Sequence, residues 1–399
     1  MWLSKKKLLS VAVVSMFLLV SFILIDCSYA QEEEGGASVA LALTQTYDDN
    51  IFSRDIDRES DLITTITPMF EIAPKLGDHK LTINYQGDYN YFWNHSSEDN
   101  LNHLNSINLK LLFSKFRIEL DNRFRYFSDT AGEEDVNRIP RTQDHADAKF
   151  IFEFNKLDLT LGYLFQYENY RSDRAIGAFL GAPATYQDLD RLEHTGEVET
   201  AWKLWPKTAL LFSTRFGGIL HRTGGKSDSD YYDVLTGIRG EPSAKSTAEF
   251  KIGYRNQDYE DNIRSFDSVI AFGSFIENIT SRDVLRLDFL RTSYDTIYQS
   301  NAYYEVSFFG TQYEHGFTER FSGNVALSYQ LDSYPVETTD VGETKHRADN
   351  IWKAGCSLKY KTPKGFTSEL AYEFLTRDSN FSAYDYKTNR IFLSLGVEF

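Results

Sequence analysis

The chain has 399 residues, a formal net charge of −16 and an aromatic content of 15%. The acidic balance excludes a protein that binds nucleic acid, because such a protein presents a basic surface to the phosphate backbone. A polar average composition with many tyrosines and phenylalanines fits either a soluble β-protein or a membrane β-barrel, because barrel strands spread their apolar residues by alternation.

The first thirty residues have the three parts of a secretory signal peptide. Lys5–Lys7 are basic, residues 8–25 are apolar, and Ser28, Tyr29 and Ala30 form a small-x-small cleavage site. A permanent membrane helix is the alternative, but an apolar stretch of about 18 residues is barely long enough to cross a bilayer. We therefore predict a signal peptide at residues 1–30.

Cleavage between Ala30 and Gln31 would divide the rest of the chain into two parts. Residues 31–37 are predicted to form a short periplasmic N-terminal segment, and residues 38–399 a single barrel domain. Cys356 is then the only cysteine of the mature chain, because Cys27 leaves with the signal peptide. An internal disulfide is excluded, so stability must come from backbone pairing and burial.

Apolar and polar residues alternate with a period of two through most of the mature chain. In residues 81–93, LTINYQGDYNYFW, the odd positions are mostly aliphatic or aromatic and the even positions are mostly polar. This is the period of a β-strand whose two faces meet different surroundings. The pattern predicts about 18 strands, at residues 38–51, 61–74, 80–93, 102–113, 116–128, 141–154, 157–171, 187–204, 207–222, 228–240, 246–259, 264–277, 282–296, 299–314, 319–334, 347–361, 366–377 and 386–399.

The connections between these strands alternate between short and long. Short turns such as KLGDH (75–79) and TPKG (362–365) are interleaved with longer polar loops such as residues 172–186 and 335–346. Outer-membrane barrels have short periplasmic turns and longer extracellular loops. Soluble β-sandwiches are the alternative, but their strands average about 5 to 6 residues, shorter than these. We predict an all-β fold, a transmembrane antiparallel β-barrel of about 18 strands, with 16 as the alternative number.

Aromatic residues crowd one end of the strand predicted at 80–93. Tyr89, Tyr91 and Trp93 share its apolar face, whereas Leu81 and Ile83 stand toward the other end. Aromatic rings gather at bilayer interfaces because their bodies are apolar and their tips are polar. The apolar face is therefore predicted to meet lipid, with the aromatic cluster near the edge of the outer leaflet.

Charged residues on the polar faces of the strands are predicted to line the lumen. An arginine at the bilayer midplane on the lipid face would cost about 2 to 4 kcal/mol, so these side chains must point inward. Two interpretations remain open: a ladder of paired charges that fills the lumen, or a lining that screens passing solutes. The lumen candidates are Asp88, Arg117, Glu119, Asp121, Arg123, Arg125, Lys251, Arg255, Arg286, Asp288, Glu369 and Glu373.

The chain ends on an apolar strand face, in the sequence NRIFLSLGVEF. A final strand that ends in phenylalanine resembles the signal read by the outer-membrane barrel assembly machinery. The residues that carry this predicted assembly signal are Tyr386, Ile391, Leu393, Leu395, Val397 and Phe399.

Two segments also resemble a known family. Residues 46–72, TYDDNIFSRDIDRESDLITTITPMFEI, contain an Asp-Asn-Ile-Phe turn, a Ser-Asp pair and a strand with proline, and residues 375–399 form a last hairpin, LTRDSNFSAYDYKTNRIFLSLGVEF. In these segments the chain resembles the bacterial outer-membrane family described as putative beta-barrel porin 2. The resemblance is carried by Tyr47, Asp49, Asn50, Ile51, Phe52, Ser60, Asp61, Pro68, Arg377, Asp378, Ser379, Asn380, Tyr386, Asn389 and Arg390. Because several members are thought to serve exopolysaccharide secretion, the resemblance implies that role as one function.

Three classes of function are compatible with this sequence. The favoured one is an outer-membrane porin-like barrel that conducts solutes or exports exopolysaccharide. The second is a structural or adhesive barrel that acts through its extracellular loops. The third is a membrane enzyme, but the chain has no Gly-x-Ser-x-Gly or His-Glu-x-x-His motif and its eight histidines are scattered. No catalytic residue, metal ligand or cofactor is predicted.

The expected location and partners follow from this interpretation. The signal peptide would direct the chain through the inner membrane, and the barrel would reside in the outer membrane of a Gram-negative cell. Its expected partners are outer-membrane lipid and lipopolysaccharide, the barrel assembly machinery and, for the export function, polysaccharide export proteins.

Overall fold

The computed structural model describes residues 36–130, 138–172, 185–223, 226–260, 265–297, 302–340 and 343–399. The predicted signal peptide and the Ala30–Gln31 cleavage site lie outside these residues. Most of the predicted periplasmic segment, residues 31–37, also lies outside them, but strand β1 already begins at Gly36.

Eighteen long antiparallel strands make up nearly all of the described chain. A two-residue strand, Lys75–Leu76, continues β2 beyond Pro74, and three short 3-10 helices occupy Ser96–Glu98, Tyr186–Leu189 and Ser382–Tyr384. No helix in the described ranges is long and apolar enough to cross a membrane. The strands are β1 Gly36–Asp48, β2 Asp61–Ala73, β3 His79–Phe92, β4 Asn100–Leu112, β5 Phe116–Thr130, β6 Arg138–Glu153, β7 Leu157–Tyr170, β8 Arg191–Trp205, β9 Thr208–His221, β10 Ser229–Ser243, β11 Ser246–Tyr259, β12 Phe266–Asn278, β13 Asp283–Asp295, β14 Tyr303–Gly316, β15 Phe321–Asp340, β16 Glu343–Lys361, β17 Phe366–Ser379 and β18 Tyr386–Glu398.

The strands form one closed sheet. Each strand pairs with its neighbours in the chain, and β1 pairs with β18, from Ala40 opposite Glu398 to Asp48 opposite Arg390. Closure leaves no unpaired edge, as a sheet that crosses lipid requires. The predicted antiparallel barrel of 18 strands is confirmed.

The strands turn their apolar faces outward and their polar faces into the lumen. On β17, Leu370 is 52% exposed and Tyr372 is exposed with it, whereas Glu369 and Glu373 lie on the other face. Exposed apolar rows of this length are rare on water-soluble proteins and are typical of a lipid-facing surface. The alternative of two stacked sheets is wrong, because these apolar rows are not pressed against one another.

The strand predicted at residues 187–204 begins later than expected. It starts instead at Arg191, after the 3-10 helix Tyr186–Leu189. The backbone N–H of Thr185 donates to the Asp188 carboxylate at 3.0 Å. This bond between residues three apart closes a turn, which competes with an extended backbone.

The hairpin of β15 and β16 is longer than the sequence indicates. Residues 335–346 are predicted as a loop, but pairing continues from Glu337 opposite His346 to Asp340 opposite Glu343. The register shifts around Pro335, because proline has no N–H to give to the ladder. The polar residues of this extension lie beyond the apolar band. There the outer face of a strand does not meet lipid, so apolar and polar residues need not alternate.

The last residue is tied to the first strand. The N–H of Phe399 donates to the carbonyl of Val39 at 2.8 Å. Ile391 and Leu393 lie exposed on the outer face of β18, while Tyr386 lies on its inner face. The predicted assembly signal thus forms one side of the closing seam, and its reading by the assembly machinery stays a prediction.

Residues from the two ends of the chain also meet at the long-loop end of this seam. Asn50 is fully buried, and its amide nitrogen donates to the carbonyls of Arg54 at 2.7 Å and Lys387 at 2.8 Å. The Asp49 carboxylate accepts the backbone N–H of Asn389 at 2.7 Å and its side-chain amide at 2.6 Å. The family-like residues of both segments therefore fasten the barrel where it closes.

The segment that follows β3, residues 93–99, is held by a buried carboxylate, and we call it the rim. Asp61 accepts hydrogen bonds from the backbone N–H groups of Asn94 and His95, at 3.0 and 2.9 Å. The His95 ring is held between Asp61, at 2.8 Å from Nδ1, and Glu59, at 2.7 Å from Nε2. Its hydrogen bond to Asp61, supported by Glu59, raises the pKa of His95 above the ordinary 6.5.

Replacing Asn50 should weaken the seam. In Asn50→Ala, the carbonyls of Arg54 and Lys387 lose their donor, which we expect to lower the free energy of unfolding by about 1–3 kcal/mol. Urea unfolding in lipid or detergent, followed by the shift in gel mobility of the folded barrel, measures the change. Asn324→Ala is the control, because Asn324 has no hydrogen-bond partner among the described side chains. Equal stability of the two variants would contradict the role of Asn50.

The rim should lose stability as the pH rises. The pKa of His95 is raised on folding. The contribution of His95 to folding stability is therefore fully present below about pH 6.5 and disappears as the pH passes through the raised pKa. Hydrogen exchange in residues 93–99 should therefore accelerate across this range beyond the intrinsic base-catalysed rate. We expect His95→Gln to abolish this extra acceleration of exchange and His145→Gln to retain it. An excess that persists in His95→Gln would assign it to another group.

Candidate functional site

The structure places all twelve predicted lumen residues on the inner face of the barrel. On each strand concerned, the alternate residues form the exposed apolar row of the outer face. Their action on passing solutes stays a prediction. These residues are Asp88 on β3, Arg117, Glu119, Asp121, Arg123 and Arg125 on β5, Lys251 and Arg255 on β11, Arg286 and Asp288 on β13, and Glu369 and Glu373 on β17.

Only some of the twelve are brought together. On β5, Arg117 lies 3.1 Å from Glu119 and Arg123 lies 3.8 Å from Asp121, while the Arg125 guanidinium covers the ring of Phe127 at 4.1 Å. The predicted ladder on β5 is therefore partly paired. Elsewhere, Asp88 accepts hydrogen bonds from Thr67 and Gln86, Glu373 pairs with Lys353 and Arg390, and Arg286, Asp288 and Glu369 form no ion pair within the described ranges.

Lys251 belongs to a network centred on Glu199. The Glu199 carboxylate is almost fully buried on β8 and binds Lys251 from β11 and Arg239 from β10, the latter at 2.9 Å. Glu249 bridges the same two cations, at 2.5 Å from Arg239 and 3.4 Å from Lys251. Two acids and two bases thus balance their charges near the short-turn end of the lumen, which stiffens this part of the wall.

Arg255 belongs to a second network, centred on Asp233. The Asp233 carboxylate is fully buried and accepts two bonds from Arg255, at 2.7 and 2.9 Å, while Arg215 lies 2.7 Å away on the other side. Arg255 also covers the ring of Tyr231 at 4.5 Å, and Arg215 that of Phe272 at 5.2 Å. Two guanidinium groups share one carboxylate, and Glu197 lies opposite Arg215 in the ladder of β8 and β9, so acids and bases alternate along this part of the lumen.

The hairpin of β13 and β14 leaves the barrel wall near its tip. Pairing of β12 with β13 stops at Ala271 opposite Arg291, whereas β13 and β14 stay paired as far as Asp295 opposite Tyr303. We call Thr292–Ile297 together with Ala302–Tyr304 the in-folded tip. Its residues are no longer held by β12, so they can bend toward the centre of the barrel.

Asp295 fastens the in-folded tip inside the lumen. Its carboxylate accepts hydrogen bonds from the Tyr259 hydroxyl at 3.0 Å and the Gln257 amide at 3.3 Å, both on β11. It also lies 3.5 Å from the Arg191 guanidinium on β8. Four strands separate β8 from β13 in the closed sheet, so this ion pair crosses the lumen.

Apolar packing reinforces the same position. Tyr303 stacks on Tyr259 with ring centroids 6.2 Å apart and meets Phe266 edge to face at 5.1 Å. The Lys226 ammonium donates to the carbonyl of Thr296 at 2.5 Å. Ile297 joins a buried cluster in which three segments from the long-loop end converge, and whose other members are Ile139, Tyr170, Tyr186, Leu189, Phe381 and Tyr384.

Two cavities lie on the short-turn side of the in-folded tip. A central cavity of about 390 Å³ is lined by charged residues, including Arg191, Arg215 and Arg255 opposite Glu193 and Glu197. A second cavity of about 820 Å³ reaches the short-turn end of the barrel, beside the Glu199 network. Both are lined by Phe272 and Leu290, so the two spaces adjoin. Together they extend along the lumen from the short-turn end to the tip.

The opposite wall is rich in amides. Six amide side chains follow the inner faces of β3 and β4 along much of their length, and we call them the amide track: Asn84, Gln86, Asn90, Asn100, Asn102 and Asn108. Asn90 donates to Asn100 at 2.8 Å and accepts from Thr65 at 2.7 Å. Each amide still offers further donors and acceptors, which match the hydroxyl groups of uncharged solutes.

Sequence reasoning missed the acids and bases that organise the lumen. Arg191, Glu193, Glu197 and Glu199 all occupy odd positions of β8, opposite the exposed apolar residues of that strand. The alternation of residues 191–205 would have identified them. Asp295 could not have been found in this way, because its contacts depend on the bend of the in-folded tip.

Most of the described histidines contact tyrosines, carboxylates or backbone groups. His103 lies 3.0 Å from the Tyr85 hydroxyl and His194 lies 2.7 Å from that of Tyr163, both on the outer face. No group of three or more His, Cys, Asp or Glu side chains that could hold a metal ion occurs in the ranges that the structure covers.

Comparisons with known proteins found one family and a set of similar solved structures. The family model described as putative beta-barrel porin 2 matches residues 38–399. Similar solved structures include Pseudomonas aeruginosa OpdK with vanillate, with 14% identity, a TM-score of 0.47 and coverage of 91% of this chain and 99% of that one. P. aeruginosa OccK2 (OpdF) has 11% identity, a TM-score of 0.49 and coverage of 92% and 98%. Acinetobacter baumannii OccAB3 has 12% identity, a TM-score of 0.47 and coverage of 92% and 99%.

No curated protein matches the chain. The family match covers the whole closed sheet from β1 to the last residue. The chain belongs to the putative beta-barrel porin 2 family and is a porin-like outer-membrane β-barrel.

Proposed function

We propose that this barrel conducts small hydrophilic solutes across the outer membrane, through a lumen that the in-folded tip narrows. The observation that carries the proposal is the pair of adjoining cavities, which share Phe272 and Leu290 and run from the short-turn end to the tip. A barrel of this strand number is wide enough to leave an aqueous channel. The Asp295 contacts then fix the cross-section of the route.

The two walls of the lumen would act on different parts of a solute. The Glu199 and Asp233 networks present fixed charges, whereas the amide track presents neutral hydrogen-bonding groups. A hydroxyl-rich solute could exchange its water for successive amides along the track and release them at little cost, which favours passage over tight binding. Uncharged sugars are therefore the solute class that we expect to pass best.

Exopolysaccharide export is the narrower form of this proposal. The amide track favours it, because a sugar chain offers a hydroxyl group at every step. A chain in transit must occupy the whole lumen at once, so this function requires the in-folded tip to move aside. It also requires polysaccharide export proteins on the periplasmic side as partners.

A structural or adhesive barrel is the second candidate function. The buried cluster around Ile297 and Tyr186 favours it, because the described segments from the long-loop end fill much of the lumen there. In that case the loops would bind outside partners and the barrel would carry no current.

Releasing the in-folded tip should widen the route. Asp295→Asn removes the charge that holds Arg191 and weakens the bonds to Tyr259 and Gln257. Loss of charge-assisted bonds worth about 1.5–3 kcal/mol should lower the ratio of docked to undocked tip roughly tenfold or more. Single-channel conductance in planar bilayers should rise, and proteoliposomes should swell faster in uncharged sugars.

The matched control is Glu314→Gln. It removes one negative charge from the inner face of β14 without touching the in-folded tip, so its conductance should stay close to that of the wild type. Silence of both the wild type and Asp295→Asn at all voltages would reject conduction and favour the adhesive barrel. Equal conductance of Asp295→Asn and the wild type would reject the tip as the narrowing element.

A further inference from the structure

Arg377 is a buried cation, and two of its nitrogen donors have no acceptor in the part of the chain that the structure describes. It lies two residues before the end of β17, on the inner face, and only 3% of its surface is exposed. Its guanidinium lies over the ring of Tyr386, 5.1 Å from the centroid. Neither Nε nor Nη1 has a hydrogen-bond acceptor among the described residues. Because arginine stays protonated in proteins, this group cannot escape its charge by losing a proton.

The nearest carboxylate is already engaged elsewhere. Asp349 accepts two bonds from Arg347, at 3.0 Å from Nε and 2.5 Å from Nη2, and a third from the Ser379 hydroxyl at 2.6 Å. Arg347 is itself buried between the rings of Tyr334 and Tyr384, at 4.7 and 3.6 Å. The buried Asp332 lies opposite Asp349 in the ladder of β15 and β16, so this corner encloses the Arg347 and Arg377 guanidinium groups and these two carboxylates, of which neither accepts a bond from Nε or Nη1 of Arg377.

The adjacent strand adds another donor. Thr388 lies on the inner face of β18, is 1% exposed, and its hydroxyl has no partner among the described residues. Its position in the ladder is opposite Leu375, one inner-face step from the Arg377 pair with Tyr386. Arg390, the next inner-face residue of β18, is occupied by Asp48 and Glu373. Unused donors are thus concentrated at Arg377 and Thr388.

An unpaired buried charge is costly, and the cost is removed when an anion accepts its N–H groups. A guanidinium beside a hydroxyl matches the several oxygens of a tetrahedral oxyanion, with charge-assisted bonds to each. We propose that Arg377 and Thr388 bind a phosphate-type oxyanion at the long-loop end of the lumen. The site faces the lumen and not the lipid, so the oxyanion is free phosphate or the phosphate group of a water-soluble ester.

Titration of the purified barrel tests this site independently of conduction. The barrel is kept in a phosphate-free detergent, and inorganic phosphate and glycerol phosphate are added in separate calorimetric titrations against chloride of equal ionic strength. We expect the wild type to bind at least one of them, and its unfolding temperature to rise with that ligand. Binding of inorganic phosphate assigns the free ion, and binding of the ester alone assigns a phosphorylated solute.

Three variants separate binding from a structural role. Arg377→Gln should weaken binding roughly tenfold or more, and Thr388→Val by a smaller factor, because each removes donors to the oxyanion. Arg123→Gln is the matched control, since Arg123 is an exposed arginine of the inner face, and it should bind like the wild type. Thr388→Val keeps the test valid if Arg377→Gln fails to fold.

Stability without phosphate gives a second readout. In chloride, Arg377→Met should be at least as stable as the wild type, because it removes an unpaired buried charge. A guanidinium with a purely structural role would instead make Arg377→Met less stable. The proposal is overturned if the wild type binds neither phosphate nor the ester, or if Arg377→Gln and Thr388→Val both bind with wild-type affinity.

Discussion

The closed ladder of backbone hydrogen bonds is the constraint on which the rest of this structure depends. Lipid offers no partner for a backbone N–H or carbonyl, so a sheet that crosses it must pair every strand on both sides. Here β1 completes the circle by pairing with β18, and Phe399 pairs with Val39 at the very end of the chain. Once the sheet is closed, each side chain has only two destinations, lipid or lumen, and the period of two along every strand follows.

Closure also determines how the acidic composition is accommodated. Charged residues excluded from the lipid face are concentrated inside, where burial makes unpaired charge costly. Asp233 and Glu199 meet this cost by pairing with arginines and a lysine from neighbouring strands. This pairing, however, neutralises most of the charge within the wall itself. The neutral side chains of the amide track are what remain to act on a solute.

Local sequence predicted the wall of the barrel well and its interior poorly. The number of strands and their faces follow from alternation, which is a short-range property that each strand carries by itself. Such alternation also placed Arg117 and Lys251 on the inner face. The Glu199 network needed the register of three strands, because Lys251 and Arg239 reach this carboxylate from β11 and β10. Predicting the position of Asp295 would require still more information, because that position depends on where the pairing of β12 with β13 stops.

The in-folded tip can separate from β12 because it lies beyond the apolar band. Within the apolar band, a strand that left its neighbour would expose backbone groups to lipid, so all pairs there are kept. Beyond Ala271 and Arg291 the outer face is no longer mainly apolar, and the freed segment can exchange ladder bonds for bonds to side chains. Tyr259, Gln257 and Arg191 supply those bonds from inside the barrel. The rigid part of the fold therefore ends where the membrane ends, and the part that shapes the route begins there.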